Sequence, residues 1–468
     1  MDGGVGRAGR VACAAAVLLV SAAFVVPRLA TERWRDSIYA AAAPIFGHWY
    51  PHVGWGTVPA LAIAAAVVLH GPALAARLSW PRLLLATWGT AFAWAFALAM
   101  VDGWKRGFTR RLTSGHEYLY EVPGVHDIPA MVRGFADRIL DYQPDSWTTH
   151  VSGHPPGALL VFVWLDRIGL GGGAWAALVC VLAGTSATAA VLVAIRALGA
   201  PGRARAAAPY LALAPAAIWI AVSADALFAG VTAWAVALLA VATDPRRTRP
   251  GLAALSGLLF GFGLFLNYGL VLMAIPALFV LAVRGLPGVR AALPALAAVV
   301  TVVAAFAAAG FWWVDGYHLV VERYYQGIAT TRPWTYWVWG NLAATVCAVG
   351  LAAVAALPLV FRGLRLPDPR ALADGRGAAA VLANSTAALR VWRTRLDPAA
   401  VLAVGGLVAL LAADLSGLSK AETERIWLPF EIWVLAGTAL LPRGSARGWL
   451  AVQAGGALVL AHLLMTNW

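Results

Sequence analysis

The chain has 468 residues, of which 61% are hydrophobic and only 12% are charged. Soluble globular proteins carry about twice that charged fraction, so the soluble classes of enzyme and binding protein are excluded. The formal net charge of +13 does not indicate nucleic-acid binding, because most of that net charge is explained by arginines in short loops predicted to face the cytoplasm. The sequence is that of an integral membrane protein, for which we expect membrane lipids as partners and no nucleic acid.

Apolar windows of about 20 residues recur along the whole chain and predict membrane spans. Such spans must be helical, because lipid offers the backbone no hydrogen-bond partner. The expected fold class is therefore all-α, a polytopic helical membrane protein with a single transmembrane domain over residues 1–468. About 13 spans are predicted, at residues 11–27, 58–72, 83–101, 173–196, 207–222, 224–243, 251–267, 268–284, 289–311, 339–361, 399–416, 427–442 and 447–466.

The arginine-bearing short loops predict the orientation of the chain in a cell membrane. A cytoplasmic N-terminus places all of them, together with the stretch 363–398, on the cytoplasmic side, as the positive-inside rule requires. Loops 102–172 and 312–338 are then extracytoplasmic. This topology holds only if the apolar stretch 155–170 does not cross, and its about 16 residues reach roughly 24 Å as a helix, which is short for a span. We expect short interfacial helices in loop 102–172, with this one in the outer leaflet.

Asp102 directly follows the third predicted span, in the stretch ALAMVDGW. Partial desolvation at that boundary can raise the pKa of a carboxyl toward the range that suits a general base. The alternative is a capping or charge-paired residue beside Lys105 and Arg106.

The stretch SGHEYLYEVPGVHD, residues 114–127, places His116 and Glu117 among further acidic and histidine residues. Two functions compete for it: an acid/base and sugar-binding cluster, or a metal site of histidine and carboxylate ligands. Its spacing matches no specific metal motif. Asp127 is better explained as the N-cap of an amphipathic surface helix that follows it.

The stretch HVSGHPPG contains His150 and His154 and ends in a Pro-Pro-Gly sequence. A residue before proline avoids the helical region, so His154 is predicted to be extended just before a helix that begins on the prolines. The positive end of that helix suits an anionic group such as a phosphate, and Gly157 would keep the approach open. The alternative is a simple turn between loop and helix.

Three further groups lie at predicted outer boundaries. Asp225 lies in a hairpin between two apolar runs and is either an N-cap or a substrate ligand. Arg323 belongs to an aromatic-rich loop that suits a carbohydrate site, and Arg425 precedes a late span. Glu431 lies inside that span, where a carboxylate usually has a partner or a function.

These features together resemble the integral-membrane glycosyltransferases of the GT-C type, most of all the branch of the protein O-mannosyltransferases and aminoarabinose transferases. In that branch an acidic pair in the first outer loop is followed by Lys-Pro-Pro-Leu or His-Pro-Pro-Leu. Here Glu117 in HEYLYEV stands in place of the acidic pair, and His154 begins the His-Pro-Pro-Gly sequence. The likeness covers residues 83–310 and departs from the pattern at His116 and Gly157, so Asp102 and Glu117 remain alternatives for the base.

The resemblance implies transfer of a sugar from a polyprenyl-phosphate donor to an extracytoplasmic lipid, glycan or protein acceptor. It implies a carboxylate that takes the acceptor proton and cationic or donor groups that hold the leaving phosphate. The expected catalytic residues are Asp102 and Glu117. The expected substrate-binding residues are His116, His150, His154, Asp225, Arg323 and Arg425.

No cofactor is required by this interpretation; a divalent metal is compatible with it, but no metal ligands are assigned. The main alternative is a transporter or flippase of lipid-linked substrates, which would place charges at mid-membrane and show broken helices in two repeated halves. A membrane metalloenzyme is a third class, but the histidine-rich loop contains no HExxH motif.

Overall fold

The computed structural model describes residues 6–247, 249–364 and 396–467, so most of the predicted loop 363–398 lies outside the described residues. In chain order the α-helices are α1 (Arg7–Leu29), α2 (Glu32–Ile38), α3 (Thr57–Arg77), α4 (Trp80–Ala99), α5 (Tyr118–Glu121), α6 (Ile128–Arg133), α7 (Thr149–Ser152), α8 (Pro156–Arg167), α9 (Gly173–Ala197), α10 (Pro201–Ala212), α11 (Ala217–Ile220), α12 (Ala224–Ala242), α13 (Pro250–Leu266), α14 (Ala274–Arg284), α15 (Leu286–Ala308), α16 (Trp313–Gln326), α17 (Trp334–Arg362), α18 (Pro398–Leu415), α19 (Thr423–Ile426), α20 (Leu428–Val434) and α21 (Ala446–Leu463). Shorter helical turns cover Lys105–Thr109, Arg111–Thr113, Val122–Gly124, Ala136–Arg138, Tyr268–Met273, Ile328–Thr330, Leu435–Leu440 and Arg443–Ser445. Two three-residue strands, β1 (Gly47–Trp49) and β2 (Leu464–Thr466), pair antiparallel.

The protein is a polytopic helical membrane protein, as the hydropathy pattern predicts. Within the described residues, eight helices are long and apolar enough to cross a membrane: α1, α3, α4, α9, α12, α15, α17 and α18. Four of the other predicted spans are shorter or interrupted helices. The fifth, 447–466, is α21, which has 18 residues but is not among these eight. The segment 207–222 is the clearest difference, because α10 ends at Ala212 and only the single turn of α11 follows it.

Small residues allow helices α9 and α12 to pack closely in the buried core. A side chain at Gly184 would collide with Ala226, and one at Gly230 would collide with the backbone of Ala183. Close approach of this kind is typical of helix pairs in membranes, where small residues bring backbones together. The beginning of α12 is thereby fixed against α9.

Helix ends that the sequence places on the cytoplasmic side contact one another. The Arg203 guanidinium lies 2.8 Å from the Asp397 carboxylate. Arg205 donates to the backbone carbonyls of Ala75 and Leu78 at 2.6 and 2.8 Å. These contacts satisfy carbonyls at helix C-termini, which have no partner within their own helix.

The predicted outer loop 102–172 folds into short helices, from the turn at Lys105–Thr109 through α5, α6 and α7 to α8. Asp127 caps α6 as expected, since its side chain accepts from the Ala130 amide at 3.0 Å. The amphipathic helix ends at Arg133, earlier than its apolar pattern suggests. The predicted loop 312–338 likewise contains a helix, α16, and the first residues of α17.

Candidate active site

Glu117 is the most unusual ionisable group of the loop that follows α4. It immediately precedes α5, and only 2% of its surface is exposed. Burial raises the pKa of its carboxyl to about 8; the positive charge of Arg425 opposes the shift, and the negative charges of Asp225 and Glu422 add to it. One carboxylate oxygen lies 3.6 Å from Nε2 of His150. The residue is therefore a buried carboxyl that titrates near neutrality, as a general base or acid does.

His154 and His150 lie beside Glu117. Nδ1 of His154 is 2.6 Å from the carbonyl oxygen of His150 and 2.9 Å from the Tyr118 hydroxyl, and the His154 ring packs against Phe228. A proton on Nδ1 is donated to the carbonyl, which leaves Nε2 as an acceptor. Burial lowers the pKa of both histidines below the ordinary value.

The two imidazoles are therefore neutral at neutral pH. A phosphate beside His154 would therefore meet an uncharged ring, and the predicted place of His154 near the phosphate stays a prediction. A neutral imidazole that presents Nε2 as an acceptor suits a hydroxyl group of a sugar or acceptor. The predicted helix after His154 is present: Pro155, with extended backbone, is its N-cap, and α8 begins at Pro156.

Asp225 and Arg425 form a buried ion pair, with Nη1 of Arg425 2.6 Å from Oδ2 of Asp225. Ser223 is the N-cap of α12, so Asp225 is a first-turn residue and not the cap. Its other oxygen, Oδ1, is buried and has no hydrogen-bond partner among the described residues. Nη2 of Arg425 lies 2.9 Å from Glu422, and Arg425 is 4% exposed.

The positive charge of Arg425 acts on Glu117, His150 and Asp225, which places these residues in one electrostatic cluster. They come from the start of α5, from α7, from the start of α12 and from α19. The site is thus assembled from short helices and helix beginnings. Non-helical backbone at such depth is tolerated in membrane proteins where it is buried or lines a cavity.

Asp102 lies in a separate cluster. Its carboxylate is 2.7 Å from Nε2 of His52 and 2.8 Å from Nη2 of Arg111. Arg111 and Arg106 both donate to the carbonyl of Thr466, next to the strand pair of β1 and β2. Both Asp102 oxygens are therefore engaged in protein contacts, as the charge-paired alternative for this residue predicts.

Two other predicted binding residues lie at the edge of the cluster. Arg323 pairs with Asp141, and its Nε lies 3.2 Å from the Ser152 hydroxyl, so it fastens α16 to α7. His116 is exposed, and its Nδ1 lies 3.4 Å from the Thr149 hydroxyl. The structure thus gives both residues protein contacts.

Gly157 has a packing role. A side chain there would collide with the carbonyl of Phe265 on α13, so the glycine permits close contact between α8 and α13. The expected open approach to a ligand is not what this glycine provides. Tyr118 is a site residue that the sequence interpretation missed, although its position directly after Glu117 in HEYLYEV was the available signal.

The positive charge of the cluster comes from a protein side chain. Among the described residues, no group of three or more histidine, cysteine, aspartate or glutamate side chains could hold a metal ion. The Arg425 guanidinium lies between Asp225 and Glu422 and supplies the positive charge there.

The structure is similar to solved structures of a membrane glycosyltransferase. The Archaeoglobus fulgidus oligosaccharyltransferase in complex with Zn and sulfate matches with a TM-score of 0.46 and 16% identity, over 81% of this chain and 52% of that chain. The oligosaccharyltransferase AglB of the same organism, in complex with an inhibitory peptide and a dolichol-phosphate, matches with a TM-score of 0.44 and 15% identity, over 76% and 50% of the two chains.

The chain thus spans about half the length of these structures. No protein-family description and no curated protein sequence matches the chain.

Proposed function

We propose that this protein is a membrane glycosyltransferase that moves a sugar from a polyprenyl-phosphate donor to an extracytoplasmic lipid, glycan or protein acceptor. The observation that carries the proposal is the buried Glu117 carboxyl, with a pKa of about 8, in the field of the Arg425 cation. Glycosyl transfer needs both groups: a carboxylate for the acceptor proton and a cation for the leaving phosphate.

In the proposed step, an acceptor hydroxyl attacks the anomeric carbon of the donor. The new bond between the acceptor oxygen and the anomeric carbon forms as the bond from that carbon to the phosphate oxygen breaks. The acceptor proton moves to Glu117, and the bonding electron pair leaves with the phosphate. Arg425, held in place by Asp225 at 2.6 Å, stabilises the charge that develops on the phosphate.

His154 has the supporting role of orienting a hydroxyl group through Nε2. Its Nδ1 is held by the carbonyl of His150 and by Tyr118, so the ring orientation is fixed before substrate binds. Preorganised groups of this kind lower the cost of reaching the transition state. The same side of the membrane carries loops 102–172 and 312–338, which we propose to be extracytoplasmic, with the N-terminus in the cytoplasm.

The proposal is tested with purified protein in liposomes that contain polyprenyl phosphates carrying radiolabelled sugars, to which acceptor fractions of the cell envelope are added. Transfer of label to the acceptor is expected for the wild type. Glu117→Gln is expected to lower the rate by about 100-fold or more, which is the usual contribution of a general base. Glu32→Gln is the matched control, because Glu32 is exposed and pairs only weakly with Arg35 at 3.7 Å.

Full activity of the folded Glu117→Gln variant would contradict the assignment of the base. Movement of the labelled donor across the bilayer without transfer to any acceptor would favour the transporter or flippase. Both outcomes are read from the same liposomes, since donor in the outer leaflet can be extracted separately from labelled acceptor.

A further inference from the structure

Glu422 occupies an unusual position between two buried guanidinium groups. Its Oε2 lies 2.9 Å from Nη2 of Arg425, and its Oε1 lies 3.4 Å from Nη1 of Arg332. Only about 5% of the surface of each arginine is exposed. Two guanidiniums that converge on one oxyanion form the arrangement by which proteins bind phosphate groups.

The backbone that presents Glu422 is in an unfavourable conformation. Ala421 has a φ of 70° and Glu422 a φ of 61°, and neither residue is glycine. Left-handed backbone of this kind persists only where the surroundings impose it, and it is concentrated at functional sites. Here Asn341 imposes it, since its side chain accepts from the Ala421 amide at 3.2 Å and donates to the Ser419 carbonyl at 2.8 Å.

Several cations surround this carboxylate. Lys420 lies beside Arg332 and donates to the Ala329 carbonyl, so three cations, Lys420, Arg332 and Arg425, share the region. The carboxyl groups there are those of Glu422, Asp225, Glu424 and Glu117. Nε of Arg332 is buried and has no hydrogen-bond partner among the described residues. The arginine pair can therefore accept an anion with more oxygens than a carboxylate has.

We propose that the Glu422 carboxylate occupies the binding site of the donor phosphate when no donor is bound. When the lipid donor binds, its phosphate displaces the Glu422 carboxylate from Arg425 and Arg332. The inference rests on the proposed function and adds Arg332 as a second phosphate-binding residue. In the absence of donor, the arginine pair is neutralised, which lowers the cost of burying two like charges. Displacement also frees residues 421–422 from the left-handed conformation.

The test measures binding of farnesyl phosphate to the full chain in detergent micelles, with farnesol as the control for the apolar tail. Glu422→Gln removes the competing anion and is expected to tighten farnesyl phosphate binding by about tenfold, whereas Arg332→Gln is expected to weaken it by about tenfold. Glu32→Gln is the matched control, which removes the same charge at an exposed position and is expected to leave the dissociation constant unchanged.

A second variant keeps every charge. Ala421→Gly makes the left-handed conformation less costly and so stabilises the state in which Glu422 occupies the arginine pair. It is expected to weaken farnesyl phosphate binding by about threefold, opposite in direction to Glu422→Gln. This variant decides the question if Glu422→Gln does not fold.

Unchanged or weaker binding by folded Glu422→Gln would overturn the inference, and so would unchanged or tighter binding by Ala421→Gly. These results do not bear on the proposed function, because the assay requires no turnover. A wild type that transfers no sugar and binds farnesyl phosphate no better than farnesol would instead refute the proposed function itself.

Discussion

The pH dependence of sugar transfer follows directly from the environment of Glu117. A general base must be ionised to accept the acceptor proton, and burial holds the pKa of this carboxyl at about 8. Below that pH the folded, substrate-free protein carries mainly the protonated form. The value of kcat/KM, which reports on the free enzyme, is therefore predicted to rise with pH through about 8.

The size of the increase in kcat/KM follows from the same pKa of Glu117. With a pKa of about 8, Glu117 is about one-tenth ionised at pH 7 and about nine-tenths ionised at pH 9. The rate at limiting donor concentration should therefore increase about tenfold over that interval. A carboxyl with the ordinary pKa would be fully ionised throughout and would give no increase.

Asp225→Asn provides the perturbation that separates Glu117 from other titrating groups. The negative charge of Asp225 raises the pKa of Glu117, so its removal is predicted to move the midpoint of the pH profile below 8. Initial rates of label transfer between pH 6 and 9.5 measure the midpoint. Glu32→Gln is the control, because it removes one negative charge at an exposed position outside the site. A flat profile in the wild type, or a midpoint that does not move in Asp225→Asn, would refute the reasoning.

Three further predictions concern the structure around the site. Asp102→Asn leaves the buried Arg111 without its counter-charge and is predicted to lower the free energy of unfolding by about 3 kcal/mol; an unchanged unfolding temperature in detergent would contradict the proposed cluster. Asn341→Ala removes the acceptor of the Ala421 amide and should lower the free energy of unfolding by about 1–3 kcal/mol. The same unfolding experiment measures it, and an unchanged stability would show that Asn341 does not hold residues 421–422 in place. Asp127→Ala removes the N-cap of α6 and should cost about 1 kcal/mol; faster hydrogen exchange of the first-turn amides checks it, and unchanged exchange would argue against the cap.

The spans could be predicted from hydropathy where one helix crosses without interruption. The segment 207–222 is different, because α10 ends at Ala212 although the sequence remains apolar. Gln453 donates to the carbonyls of Tyr210 and Leu213, and Trp94 donates to the carbonyl of Ala214. These side chains replace the hydrogen bonds that a continuing helix would make. They come from α21 and α4, so no local pattern could predict the break.

The site could be predicted in part, because some of its determinants are local. Prolines after His154 predict the helix that begins there, and the structure has that helix. The choice between Asp102 and Glu117 could not be made from the sequence, since both are carboxylates of the predicted outer loop 102–172. They differ in their partners. Asp102 is paired with the Arg111 guanidinium and lies 2.7 Å from Nε2 of His52, which is fifty residues away in the chain. Glu117 is instead buried beside uncharged histidines.

The helix beginnings at the site explain why its polar groups remain available for a substrate. A continuous span satisfies its own backbone, whereas Asp225 lies in the first turn of α12, after the extended Ser223, and Arg425 lies in the single turn of α19. Protein contacts satisfy one oxygen of Asp225 and leave Oδ1 buried without a partner among the described residues. An unsatisfied buried acceptor is costly in a membrane interior, and a sugar hydroxyl that donates to it would recover that cost on binding. Selectivity for a hydroxylated substrate over an apolar lipid would then arise from the same oxygen.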